Sequence, residues 1–253
     1  GEWMAVSIFI NKNGNFTNET AKYGLENTAG WWNTIEVADM DGDGDLDLVA
    51  GNLGYNTRIQ ASANKPLEII AKDFDNNGNP EAVISMYYQN AQHPIYQRDV
   101  IKSQMPYLQQ RFNKYEPYAN ATTNQVFTAD ERTGALKLQA TNLGTTYFEN
   151  TGNGFKMHIL PNLAQISPTQ SILLQDFDKD SKMDILLVGN FYYNEIETGR
   201  SDAGNGLFLK GDGAGSFAPQ TIRQSGFFAA KDARDMQILN YNGQRLIIVA
   251  NNN

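Results

Sequence analysis

Five aspartates, Asp39, Asp41, Asp43, Asp45 and Asp47, stand at alternate positions in the stretch Val37-Ala-Asp-Met-Asp-Gly-Asp-Gly-Asp-Leu-Asp-Leu-Val-Ala-Gly51. Acids this close repel one another unless a cation sits among them. A ligand set made only of oxygen suits a hard cation, Ca²⁺ first among them. Asp39, Asp41 and Asp43 fall at positions 1, 3 and 5 of a loop, Asp45 at position 7 can offer its backbone carbonyl, and Asp47 at position 9 returns a carboxylate. Gly44 at position 6 permits the sharp turn that gathers these oxygens about one point.

The pattern returns twice. A second loop offers Asp73, Asp75, Asn77, the carbonyl of Asn79, and Glu81, with Gly78 at the turn. A third offers Asp176, Asp178, Asp180, the carbonyl of Lys182, and Asp184, with Ser181 in place of the turn glycine. An EF-hand shares the opening of this pattern but needs Glu at position 12 and flanking helices. Position 12 is here Ala50, Ile84 or Leu187, inside an apolar, strand-like run each time. The expectation is three Ca²⁺ sites on β-turns, the first tightest by charge count and by Gly44. Mg²⁺ is less suited, because it resists a cage made wholly of protein.

The elements that must hold these loops read as short strands. Residues 4–10 read as one strand, Asn11-Lys-Asn-Gly-Asn15 as a turn, and Phe16 onward as its return. Trp31-Trp-Asn-Thr-Ile-Glu-Val37 enters the first loop and Leu46-Asp-Leu-Val-Ala50 leaves it. Leu67-Glu-Ile-Ile-Ala71 and Ala82-Val-Ile-Ser-Met-Tyr87 flank the second loop, and Ser171-Ile-Leu-Leu174 and Ile185-Leu-Leu-Val188 the third. Glycine-rich hairpins recur at residues 146–155 and 207–217, and a last strand pair turns at Asn242-Gly243. Gly51-Asn52 and Gly189-Asn190 close equivalent strands. Such repeating units of four short strands predict an all-β chain, residues 1–253, of about four β-propeller blades in series that form part of a larger ring. Residues 91–135 break the rhythm and predict a mainly helical insertion in the second blade. There Met105, Leu108, Phe112 and Tyr115 recur at helical spacing, Pro106 suits a first turn, and Thr122 suits a cap.

Composition excludes several classes. The net charge of −8 leaves no basic stripe to neutralise phosphates, so nucleic acid is not a partner. With 41% hydrophobic residues the chain can build a core yet falls well short of a membrane composition. Its apolar runs are strand-sized, so neither a membrane-spanning helix nor a signal h-region is expected, and targeting information would lie outside this segment. Millimolar Ca²⁺ outside the cytoplasm would fill modest sites, which points to an extracytoplasmic location. Sequons at Asn15, Asn18 and Asn120 matter only for secretion by a eukaryote. No nucleophile elbow, P-loop, dinucleotide fingerprint or zinc motif occurs, and His93 and His158 read as structural. The paired tyrosines Tyr87-Tyr88 and Tyr192-Tyr193 follow equivalent strands and can line one face.

Laid out in this way, the chain resembles the FG-GAP/VCBS repeat β-propellers, whose blade signature is close to residues 37–52. Gly1-Glu-Trp-Met4, Gly30-Trp-Trp-Asn33, Gly51-Asn-Leu-Gly54, Arg98-Asp99 and Tyr118-Ala-Asn-Ala121 look like the bacterial VCBS-repeat proteins related to cartilage acidic protein, often joined to an ASPIC/UnbV module. The resemblance implies structural Ca²⁺ in the loops and a ring that serves as a binding platform. It implies a non-enzymatic scaffold of a secreted or cell-surface protein, with a protein or glycan partner at the cell envelope. The alternative is a glycan-binding or polysaccharide-lyase-type propeller. Asn77 and Ser181 depart from the family pattern, and Asp232-Ala-Arg-Asp235 lacks the spacing, so no metal is assigned to it.

Overall fold

Short runs of β-branched, aromatic and leucine residues punctuated by Gly, Asn and Asp fold as antiparallel strands joined by tight turns. The computed structural model describes residues 1–194 and 198–252. They divide into two compact units: residues 1–58 with 143–253, and residues 59–142.

The first unit opens with β1 (Glu2–Met4), β2 (Phe9–Lys12), β3 (Asn15–Asn18), β4 (Gly30–Trp31), β5 (Thr34–Ala38) and β6 (Asp47–Gly51). Residues 4–10, expected from sequence to be one strand, are not: β1 ends at Met4 and β2 begins at Phe9. The backbone between β1 and β2 is instead satisfied by threonine hydroxyls. The Val6 N–H donates to Thr28 Oγ1 (3.1 Å) and the Ile8 N–H to Thr20 Oγ1 (3.0 Å). Side-chain acceptors from loops have replaced a ladder, and no alternation of residue types announces that.

The second unit contains β7 (Leu67–Lys72), β8 (Glu81–Tyr88), β9 (Ala91–Pro94), α1 (Arg98–Gln104), α2 (Leu108–Arg111), α3 (Tyr115–Ala119), α4 (Thr123–Val126), α5 (Ala129–Arg132) and β10 (Leu136–Ala140). Its sheet runs β10-β7-β8-β9, so the last strand returns beside the first. The helices cover one core built from Ile70, Phe74, Val83, Ile101, Met105, Leu108, Phe112, Tyr118, Val126 and Phe127. Three of the four residues of the apolar stripe, Met105, Leu108 and Phe112, are buried there. Tyr115 is exposed, because the chain breaks into separate short helices and changes phase between them. Its ring lies under the Arg98 guanidinium at 3.8 Å, and its hydroxyl donates to Asp99 (2.6 Å). Thr122 does cap α4: its N–H donates to the Gln125 side chain at 2.8 Å, which forms a capping box.

The chain then returns to the first unit with β11 (Thr146–Asn150), β12 (Phe155–Ile159), β13 (Ser171–Gln175), β14 (Asp184–Val188), β15 (Leu207–Gly211), β16 (Phe217–Gln220), α6 (Ile222–Ser225), β17 (Asp232–Tyr241) and β18 (Gln244–Asn252). Two four-stranded sheets form, in the orders β12-β11-β6-β5 and β13-β14-β15-β16. The pairing of β11 with β6, Phe148 against Leu48, corrects the serial arrangement expected from sequence. In chain order, residues 59–142 fall between the two paired strands β6 and β11.

Within the first unit the sheets pack face to face. Val49 and Tyr147 of one meet Ile172, Ile185, Leu187 and Leu209 of the next. The second face of that next sheet, Leu186 and Val188, meets Ala233 and Met236 of the β17–β18 ribbon. The ribbon turns at Asn242-Gly243 as the sequence predicts, both residues in the left-handed region (φ 49° and 76°). The result is an all-β arrangement of several antiparallel sheets with a few short helices. No closed ring forms among the described residues.

Candidate metal loops

Each acidic loop bridges one hairpin: β5–β6, β7–β8 and β13–β14. The pairs at their bases are Ala38 with Asp47, Lys72 with Glu81, and Gln175 with Asp184. The three loops share one internal hydrogen-bond scheme. The position-1 carboxylate accepts from backbone N–H groups further round the bend: Asp39 from Gly42 and Gly44, Asp73 from Asn77 and Gly78, Asp176 from Lys179, Asp180 and Ser181. Position 3 accepts from the N–H of position 5, so Asp41 takes Asp43, Asp75 takes Asn77 and Asp178 takes Asp180. Position 5 accepts from position 7: Asp43 from Asp45, Asn77 from Asn79 and Asp180 from Lys182.

Position 9 ties the loop to the sheet. Asp47, fully buried, accepts from Met40 N–H (2.8 Å) and from Asn150 N–H on β11 (2.7 Å). Asp184, also fully buried, accepts from Phe177 N–H (3.0 Å) and Gly211 N–H on β15 (2.9 Å). Glu81 accepts from Phe74 N–H at 2.9 Å. Position 2 is therefore both donor and apolar anchor, as Met40, Phe74 or Phe177. Those apolar residues repeat visibly in the sequence and are part of the loop although the oxygen pattern passes over them.

The turn needs two left-handed residues. Position 6 is Gly44 (φ 95°), Gly78 (90°) and Ser181 (67°), as the spacing predicts. Position 4 is Gly42 (82°), Asn76 (58°) and Lys179 (66°) and adds a second requirement, signalled in sequence only by Gly42 and Asn76.

The carboxylates converge in each loop. Asp39, Asp41 and Asp43 bring one oxygen each within 4.8 Å of one another, as do Asp73, Asp75 and Glu81, and Asp176, Asp178 and Asp184. These three groups can hold metal ions. The first loop fits a cation best. Asp45 Oδ1 is buried without a hydrogen-bond partner among the described residues. Burial first, and the neighbouring aspartates after it, push the Asp41 and Asp45 carboxyls above the ordinary range. Tyr147 is buried in the core beside this loop, its ring stacked on His158 at 5.6 Å and edge-on to Phe217 at 5.3 Å. The second loop offers three carboxylates and the Asn77 side chain on the same scaffold.

The third loop differs. The Lys210 ammonium, on β15, is paired with Asp178 and lies 2.9 Å from Asp180 Oδ2. Its hydrogen bond holds the Asp180 carboxyl below the ordinary range, while burial pushes Asp184 above it. Asp178, one of the three converging carboxylates of this loop, therefore already faces a cation. No local spacing points to Lys210, because it reaches the loop across a strand pairing.

Residues 2–50 match the family model of the FG-GAP-like repeat, and this stretch, which ends on β6 just past the first acidic loop, is a repeat of the FG-GAP/VCBS type. No curated protein matches the chain. No helix among the described residues is long and apolar enough to cross a membrane.

Proposed function

We propose that this chain is a calcium-stabilised, non-enzymatic interaction module from a β-propeller of a secreted or cell-surface protein. The observation that carries the reading is the threefold recurrence of one loop geometry: three carboxylates converge in each loop, at positions 1, 3 and 5 in the first and at 1, 3 and 9 in the other two, and the position-1 carboxylate accepts from the position-6 N–H every time. All-oxygen sets of this charge on a bend with left-handed positions suit Ca²⁺, which accepts irregular geometry, over Mg²⁺. The ion would neutralise the crowded carboxylates and pin the bend to the sheet below it. Asp39, Asp41, Asp43 and Asp47 in the first loop, Asp73, Asp75, Asn77 and Glu81 in the second, and Asp176, Asp178, Asp180 and Asp184 in the third would hold it, with the carbonyls of Asp45, Asn79 and Lys182 completing each set.

The face-to-face sheets of the first unit support a run of propeller blades. Phe9, Phe16, Leu239 and Ile248 leave exposed apolar surface that fits a series continuing into further sheets. Millimolar Ca²⁺ outside the cytoplasm would keep such loops filled, and a protein or glycan of the cell envelope is the partner class that fits this setting.

Native mass spectrometry over a Ca²⁺ titration tests the reading, together with thermal unfolding in EDTA. Added mass in steps of one calcium and a Tm lowered by EDTA are expected. No uptake at millimolar Ca²⁺ would overturn the metal reading, and release of products from an intact polysaccharide would overturn the non-enzymatic one.

A further inference from the structure

The first and third loops sit in sheets of the same order, so their surroundings compare step by step. In the first sheet, Leu48 pairs with Phe148, which sets Glu149 opposite Asp47 one step further on. In the third, Ile185 pairs with Leu209, which sets Lys210 opposite Asp184. The equivalence is confirmed by the next residue in each strand. Asn150 N–H and Gly211 N–H make the same hydrogen bond to the position-9 carboxylate, at 2.7 and 2.9 Å. One structural position thus carries an acid beside one loop and a base beside the other.

The two side chains behave accordingly. Glu149 turns to His158 Nε2 (2.6 Å) and Lys156 (3.6 Å) and supplies no positive charge to the first loop. Lys210 folds onto Asp178 and Asp180, residues at positions 3 and 5 of the third loop. We propose that Lys210 is a built-in cation of the third loop, which holds that bend closed without metal and competes with Ca²⁺ for its carboxylates. The inference rests on the metal reading above and refines it: the loops are not equivalent sites, and the third fills last.

The competition is reversible because the pair is accessible. The side chains of Lys210, Asp178 and Asp180 are 40%, 33% and 29% exposed, so water and ions reach them. An exposed ion pair is weak enough to open. A fixed positive charge within a few ångströms of a divalent ion still opposes its binding, and its removal should tighten the site about tenfold or more.

The test compares Lys210→Gln and Lys210→Arg with the parent chain, each followed by native mass spectrometry across a Ca²⁺ titration and by thermal unfolding in EDTA. Two ions are expected to enter the parent chain before a third. Lys210→Gln should take the third over the same range as the first two, and Lys210→Arg, which keeps the charge, should follow the parent. In EDTA, Lys210→Gln should melt below the parent, since its third loop has lost the ammonium that pairs with Asp178 and Asp180. Equal Ca²⁺ uptake by the parent and Lys210→Gln at every concentration overturns the inference. If those equal counts are three, the metal reading stands; if they are zero, it falls too.

Discussion

At the scale of single residues, the oxygen ligands are visible in the sequence because their spacing is local: alternate side chains of a tight bend must face the same point. What answers them electrostatically is not local. Lys210 comes from the neighbouring strand, and its reach into the third loop depends on register. The same holds in the second unit, where Glu131 caps α5 and pairs with Arg111 twenty residues earlier. Its carboxylate receives both guanidinium nitrogens, at 2.9 and 3.0 Å, and the Thr128 N–H at 2.7 Å. The Arg111 guanidinium first, and Thr128 after it, hold the carboxyl at about 2, against an ordinary value of 4.5. A carboxyl depressed on folding stabilises the folded state above its unfolded pKa, and that contribution drains away as pH falls from about 4.5 towards 2. Glu131→Gln should therefore cost about 1–2 kcal/mol at pH 7, through a weakened cap and a lost charge-assisted pair. Urea unfolding at pH 7 and at pH 3 would show the gap between the two chains narrowing at the lower pH. A constant gap would mean that Arg111 and Glu131 are joined only in appearance.

At the scale of elements, strands and hairpins were legible wherever the chain obeyed its own alternation. The ribbon of β17 and β18 with its Asn-Gly turn is the clearest case, since two residues with φ above zero demand those types. Where side chains replace backbone partners, as Thr20 and Thr28 do for Ile8 and Val6, the signal was absent. The acidic loops lie between these extremes. The fold requires two left-handed positions: glycine announces both in the first loop and one in the second, and the third loop meets both without glycine, at Lys179 and Ser181. L-residues pay about 1–2 kcal/mol in that region, partly offset by the greater chain entropy glycine loses on folding. Ser181→Gly should then raise the stability of the EDTA-treated protein by roughly 0.5–1 kcal/mol in a denaturant melt. The same change should leave the first two calcium-binding events untouched. A destabilised variant would show that the Ser181 side chain holds the loop by contacts that outweigh its backbone strain.

At the scale of the whole molecule, the insertion of residues 59–142, in chain order, between two strands that pair with each other was hidden, although every strand involved was visible. Period and composition locate strands but do not say which distant strand completes which sheet, and a parsimonious reading places them in chain order. The decisive contacts are long-range: Leu48 with Phe148, and the core in which Val49 and Tyr147 pack together. The chain leaves and re-enters the first unit at neighbouring points, since Gly54 N–H donates to Leu143 O at 2.7 Å. The hydrophobic clusters are also separate: those around Val49, Phe148 and Met236 draw only on residues of the first unit, and that around Phe127 only on residues of the second. Joining Arg58 to Leu143 through a short Gly/Ser linker should therefore leave a chain that still folds. Closing a short flexible loop in place of a long one costs no extra chain entropy. Near-UV circular dichroism and a single cooperative melt would report the fold, and the Ca²⁺ count by native mass spectrometry should drop by one, the ion of residues 73–81. A shortened chain that collapses without fixed tertiary packing would show that the sheet of β5, β6, β11 and β12 depends on the inserted unit, and that the two are not separable domains.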